Sequence, residues 1–345
     1  MLELDGSAAG GQFLRSALSL AALTGTPIAV EGVRGSRPES GLRPQHLAAV
    51  EAVAAVCDAA VTGAHRGSET VTVEPGAPTG GEVSADLETA GSVALLFDAL
   101  LPLALVVDRP LTVRATGGTD VKWAPPLAAT RLVTLPLLRE LGALAAVDVE
   151  RRGFYPVGGG RVTLRVAPAE PEPVELSARG DPTGVRVVSI ATTDLADAEV
   201  AERQADAAVA ALPEDRPIRE RRLAYVDADS PGTVCAVRAD YGRGVAGFDA
   251  LGEKGKPAEE VGLEAAEPIY SFEGTAGAVD RHLADQLLVL LGICGGELAI
   301  PAVTAHVETS LALLDAFDVP VSLSERDAGA LLTAPGIDRD RLVGD

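Results

Sequence analysis

Lysine is almost missing from this chain. Lys122, Lys254 and Lys256 are the only lysines among 29 basic residues, against 50 acidic ones, for a formal net charge of −21. That balance excludes broad, non-specific nucleic-acid binding, because any phosphate-bearing partner would need a local basic pocket. An acidic, lysine-poor surface suits a high-salt cytoplasm, where salt screens self-repulsion and carboxylates hold water. Aromatic residues make up only 3% of the chain, so the core has to be built from Ala, Val and Leu. Cysteine is scarce too. Cys57, Cys235 and Cys294 are odd in number, far apart and outside any metal spacing, which reads as reduced core thiols of an intracellular protein. The most apolar stretch, Val93 to Val107, is broken by Asp98 and Pro102 and is too short to span a bilayer. The acidic start, Met1 to Asp5, does not read as a signal peptide. No membrane partner is expected. There is no Walker A loop, GxGxxG turn, zinc spacing or GxSxG elbow, so any nucleotide chemistry uses a less familiar site.

What is present is a loose internal repeat. A strand at 2–5, a helix from Gln12 to about Leu23, a strand from Ile28, a helix from Pro44 to about Cys57, and strands at 60–62 and 70–73 form one unit. The order returns with a strand at 82–86 and helices at about 92–101 and 126–141. Strands at 111–115, 146–150 and 161–166 complete that unit. It returns again with helices at 279–291 and 306–317, and strands at 297–302, 319–323 and 329–333. Residues 178–270 follow their own alternation, with strands at 185–192, 223–226 and 233–240 and a helix at 197–212. The expectation is an α/β (α+β) protein of three βαβαββ-type units. Residues 1–177 would hold units one and two. Residues 178–270 would form a small α/β domain inserted in the third, which 271–345 would complete.

Polar residues cluster where folding does not require them. His306, in Val303-Thr-Ala-His306-Val-Glu-Thr-Ser310, falls on the first turn of a helix that follows an apolar strand. A helix start welcomes phosphate, and a neutral imidazole beside a phosphate can act as a nucleophile. Gly10-Gly11-Gln12-Phe-Leu-Arg15 places glycines before a helix and an arginine on its first turn. That lets a phosphate approach the backbone, although a tight turn with a surface arginine has the same pattern. Arg34, Arg37 and Arg43 lie within ten residues, beside Gln45 and His46, in a strongly acidic chain. Permanent charges gathered there call for an anion, or for pairing with Glu39. The loop Gly117 to Pro126 holds the sole Trp, one of the lysines and two rigid prolines, and could stack a base or simply turn. On the helix His282-Leu283-Ala284-Asp285-Gln286, His282, Asp285 and Gln286 share one face, suited to a nucleotide or to water.

Taken in order, these segments resemble the RNA 3'-terminal phosphate cyclase family. The resemblance also rests on Ala90-Gly91-Ser92 and Gly153-Phe-Tyr-Pro-Val-Gly-Gly-Gly160, and spans nearly the whole chain. The repeats look like those of the enolpyruvyl-shikimate phosphate synthases. The resemblance implies ATP as co-substrate, Mg²⁺ or Mn²⁺, and an RNA bearing a 3'-terminal phosphate as partner. His306 would take AMP from ATP and pass it to the RNA phosphate, and the 2'-hydroxyl would then close a 2',3'-cyclic phosphate. It implies that Arg15 and Arg37 act with His306, and that Gln12, Arg34, Arg43, Gln45 and His46 line the phosphate and RNA-end site. Pro125 and His282 would flank adenine, with Asp98, Leu283, Ala284, Asp285 and Gln286 around the nucleotide. Two positions depart from the family pattern. Ala8 stands where the family has a metal-binding Glu, which leaves Asp5 or the ATP phosphates to hold the metal. Asp98 stands where the family tends to carry Gln. A non-catalytic relative acting in ribosomal RNA processing or ribosome assembly is the alternative, as is a small-molecule transferase on the same repeat.

Overall fold

Alternating apolar residues build short strands here, and Ala- and Leu-rich stretches build the helices that cover them. The computed structural model describes residues 1–88, 90–170 and 172–342. The first unit runs β1 (Leu2–Asp5), α1 (Gly11–Thr24), β2 (Ile28–Glu31), α2 (Pro44–Cys57), β3 (Ala60–Thr62) and β4 (Val71–Glu74). The second runs β5 (Gly81–Asp86), α3 (Val93–Leu100), β6 (Leu111–Gly117), then α4 (Leu127–Ala129) and α5 (Leu135–Glu140), β7 (Ala145–Arg151) and β8 (Gly160–Val166). A short β9 (Val174–Leu176) follows.

Residues 178–270 contribute β10 (Pro182–Thr192), α6 (Val200–Ala211), β11 (Ile218–Val226), β12 (Thr233–Tyr241), β13 (Val245–Leu251), α7 (Ala258–Ala266) and the start of α8 (Pro268–Glu273). The chain closes with α9 (Arg281–Cys294), β14 (Gly296–Ile300), α10 (Ala305–Ala316), β15 (Ser322–Arg326) and β16 (Gly329–Ala334).

Three four-stranded sheets share one topology: β1-β2-β4-β3, β5-β6-β8-β7 and β9-β14-β16-β15. In each, the first pair is parallel and the others antiparallel. The third sheet therefore draws β9 from before residues 178–270 and the rest from after them. A fourth sheet, β11-β10-β12-β13, belongs to that intervening segment. Helix α1 packs on α2, α3 and α10, which joins the three units at their helical faces. One Ala-, Val- and Leu-rich core runs through them all, and a separate core lies under α6 and α7.

Three differences from the sequence reading have physical causes. The helix expected over 126–141 is broken by a π-helical turn at Thr130–Thr134. Pro136 has no N–H to offer Leu132 four residues back, and its ring crowds that turn. The freed Leu132 carbonyl instead accepts from Arg238 Nη1 of β12, at 3.1 Å. Strand β13 and helices α7 and α8 had no expectation, because Gly247 and Gly262 interrupt the patterns of β13 and α7 and α8 is only six residues long. The strand expected at 319–323 begins at Ser322, since Phe317 to Val319 close the end of α10 with backbone bonds to Leu313, Leu314 and Asp315.

Candidate active-site cleft

A cleft of about 1350 Å³ opens where the three helical layers meet β13. Its lining includes Gln12, Arg15, Arg34, Arg37, Arg43, Gln45, His46, Asp98, Pro125, His282, Leu283, Asp285, Gln286 and His306. Every candidate residue is thus gathered except Ala284, which is 1% exposed and packs in the core on the far side of α9.

The basic wall is built on the starts of α1 and α2 and on the loop that leads into α2. Gly10 caps α1 with an extended backbone, and Gly11 leaves room for a close neighbour: a Cβ there would sit 2.3 Å from His46 Nε2. His46, on the first turn of α2, receives the Arg43 N–H on Nδ1 at 3.3 Å. Burial, and then the charges of Arg15, Arg34 and Arg43, push its pKa down to about 3, so it stays neutral. Arg34 holds its loop by donating to the Glu39 and Gly41 carbonyls at 2.9 and 3.2 Å. Arg43 pairs with Glu39, and Arg37 is exposed at the rim. Burial lowers the pKa of Arg15, and its Nε is buried without a partner. A buried, unpaired N–H donor beside several guanidinium groups is chemically suited to an anion.

The facing wall is acidic. Asp280 caps α9, its Oδ1 accepting from the His282 and Leu283 N–H groups at 2.8 and 3.1 Å. Its Oδ2 accepts from Gly247 N of β13 at 2.8 Å. Asp285 is pushed up to about 6, mainly by burial, and its Oδ1 has no partner. His282 is lowered, again by burial first. Asp98 is pushed up to about 6 by burial, against the pull of Arg15. It accepts from Gln286 Nε2 at 3.1 Å, while Gln286 Oε1 accepts from Thr134 of the π turn at 3.3 Å. Asp98, which stands where the family tends to carry Gln, therefore counters Arg15 and orients an amide.

His306 is exposed on the first turn of α10. Thr304 caps that helix, its hydroxyl accepting from Val307 N at 3.2 Å. The sequence reading missed Asp249 of β13, which lines the same cleft and is pushed up to about 7 by burial and by Asp280. Only an ordinary-looking acidic residue in an unassigned strand marked it. Among the described residues no three His, Cys, Asp or Glu side chains gather as a metal site. Asp5 is exposed, accepts from Ser7 N at 2.8 Å and lies outside the cleft lining. The described donors do not fit a protein-built metal cage.

Fold and cleft define an α/β protein with an arginine-lined cleft faced by a helix-start histidine. The particular family follows from comparison. A family model described as RNA 3'-terminal phosphate cyclase matches residues 7–321, and the chain belongs to that family. It is similar to the RNA 3'-terminal phosphate cyclase of Halobacterium salinarum, at 47% identity over 96% of this chain and 99% of the relative. It is also similar to those of Pyrococcus furiosus, 40% identical over 92% and 93% of the two chains, and Methanopyrus kandleri, 40% identical over 94% and 95%.

Proposed function

We propose that this protein converts an RNA 3'-terminal phosphate to a 2',3'-cyclic phosphate at the expense of ATP. The observation that carries the reading is the convergence of His306 and the Arg15, Arg34, Arg37 and Arg43 wall on one cleft. An imidazole nitrogen of His306 attacks the α-phosphorus of ATP, forming an N–P bond as the bond to pyrophosphate breaks and the ring proton leaves. An oxygen of the RNA 3'-phosphate then takes AMP from the histidine. The 2'-hydroxyl finally attacks the 3'-phosphorus, its proton leaves, AMP departs and the ring closes. Passing AMP through histidine splits one hard displacement into easier ones. The last step is intramolecular, so holding the terminal ribose and phosphate supplies much of its rate. Arg15 and Arg37 neutralise charge on the transferring phosphates, and Gln12, Arg34, Arg43, Gln45 and His46 hold the RNA end. Pro125, His282, Asp285 and Gln286 receive the nucleotide, with Asp98 fixing Gln286.

The test is intact mass after incubation with ATP and Mg²⁺ or Mn²⁺ in high salt, beside His306→Ala. The expected result is an AMP-sized adduct that needs His306 and is discharged by RNA bearing a 3'-phosphate. A folded protein that gains no adduct with either metal refutes the reading.

A further inference from the structure

We propose that Trp123 and Tyr155 form a stacking platform for the unpaired RNA bases that precede the terminal nucleotide. The inference rests on the reading that an RNA 3' end enters the cleft. The chain has one Trp, four Tyr and six Phe, so rings are scarce. Yet Trp123 is 88% exposed, the highest value for a large apolar side chain among the described residues. Its backbone is held left-handed, at φ 62°, an unfavourable conformation for a bulky residue. Tyr155, 48% exposed, meets it edge to face with ring centroids 6.4 Å apart. Lys122 Nζ lies 5.9 Å from the Tyr155 ring centroid and 3.1 Å from Glu253.

The two loops that carry these rings are sewn together beneath them. Asp120 bridges to Phe154, and Thr119 Oγ1 accepts from Gly153 N at 3.0 Å. The buried Arg152 donates to both Asp120 oxygens at 3.0 and 2.7 Å. The rings are thus presented on a rigid base rather than left on a loose loop. Lys122 and Trp123 line the same cleft as Arg15 and His306, so a strand leaving the phosphate pocket passes them.

Charge argues for the same occupant. A chain at −21 cannot hold an RNA strand by phosphate contacts along its length, and molar salt would weaken those contacts further. Stacking on an aromatic face depends on neither, and it accepts any base. The terminal phosphate is gripped by arginines, and the bases behind it lie on rings.

The sole Trp also makes the test direct, since its fluorescence reports on Trp123 alone. Wild type, Trp123→Ala, Trp123→Phe and Tyr155→Ala are titrated in high salt with 3'-phosphorylated oligonucleotides of increasing length and with ATP. Wild-type fluorescence should be quenched by oligonucleotides and not by ATP. Affinity should rise when nucleotides are added behind the terminal one. Trp123→Ala should lose that gain, about tenfold. It should still bind the 3'-phosphorylated mononucleotide and form the AMP adduct as wild type does, and Trp123→Phe should recover part of the gain. Unquenched Trp123 with affinities within twofold across the variants overturns the platform and leaves the cyclase reading standing. Quenching by ATP with loss of the adduct in Trp123→Ala overturns it too, by making Trp123 a nucleotide contact. Wild-type protein that binds no 3'-phosphorylated end overturns both.

Discussion

Replacing Asp120 by Ala should destabilise this protein far more than any single surface ion pair could. Asp120 and Arg152 have side chains 0% and 5% exposed, joined by hydrogen bonds of 3.0 and 2.7 Å. Thr119 Oγ1 adds a further bond to Asp120 at 2.6 Å. Removing the carboxylate leaves the guanidinium buried without its counter-charge, which costs about 3–5 kcal/mol. An unfolding entropy of about 2.1 cal/mol/K per residue gives about 0.7 kcal/mol per kelvin for 345 residues. Tm should therefore fall by about 4–7 °C. Calorimetry at low and at molar KCl should give the same drop, since a buried pair is little screened. The exposed Arg203–Glu259 pair is the control: solvent and salt screen it, so Glu259→Gln should leave Tm nearly unchanged. Asp120→Leu combined with Arg152→Met should recover most of the loss, because neither charge is then stranded. An Asp120→Ala protein melting within about 1 °C of wild type would refute the argument.

Thr304→Ala should cost about 1 kcal/mol by uncapping α10, and should slow adduct formation at His306, while Thr304→Ser keeps both; melting and intact mass decide. Gly11→Ala should destabilise by about 1–3 kcal/mol in denaturant, since the new Cβ meets His46 Nε2 at 2.3 Å. His46 has a folded value of about 3 against 6.5 when unfolded. The unfolded state therefore binds more protons between those values, and stability falls as pH drops through 6.5; His46→Gln should flatten that acid limb. Asp98 has the opposite sign. Its folded value of about 6 lies above 3.8, so stability falls as pH rises across that span, and unfolding curves of Asp98→Asn should lose the slope.

Much of the fold was legible because helices and strands announce themselves by period, and Ala- and Leu-rich amphipathic segments such as α1 and α2 do so clearly. The segments that escaped were short or carried glycine, as β13 and α7 do, or bent for tertiary reasons, as the π turn does around Pro136 and Arg238. The candidate site was legible one motif at a time. Arg15, His46, Gln286 and His306 each sit beside recognisable helix starts or faces. What no single sequence window holds is the wall from β13. Asp249 becomes a cleft residue only because β13 runs beside the start of α9, where Gly247 N bonds to Asp280. The role of Asp98 was equally hidden, since its partners Arg15 and Gln286 are remote along the chain and meet only through packing. Ala284 was carried in by its neighbours and belongs to the other face of the same helix.

The bonds crossing from residues 178–270 have a consequence for engineering. Gly247 N completes the shell of the Asp280 carboxylate that starts α9, and Arg238 satisfies the carbonyl that Pro136 abandons. A shortened protein with that segment replaced by a tight linker would strand both groups. One lies at the root of the helix bearing His282, Asp285 and Gln286. The other lies in the turn that aims Thr134 at Gln286. The segment is a clamp on the floor of the cleft, and a version of the chain trimmed of it would have to supply two new hydrogen-bonding partners before it could hold the same pocket.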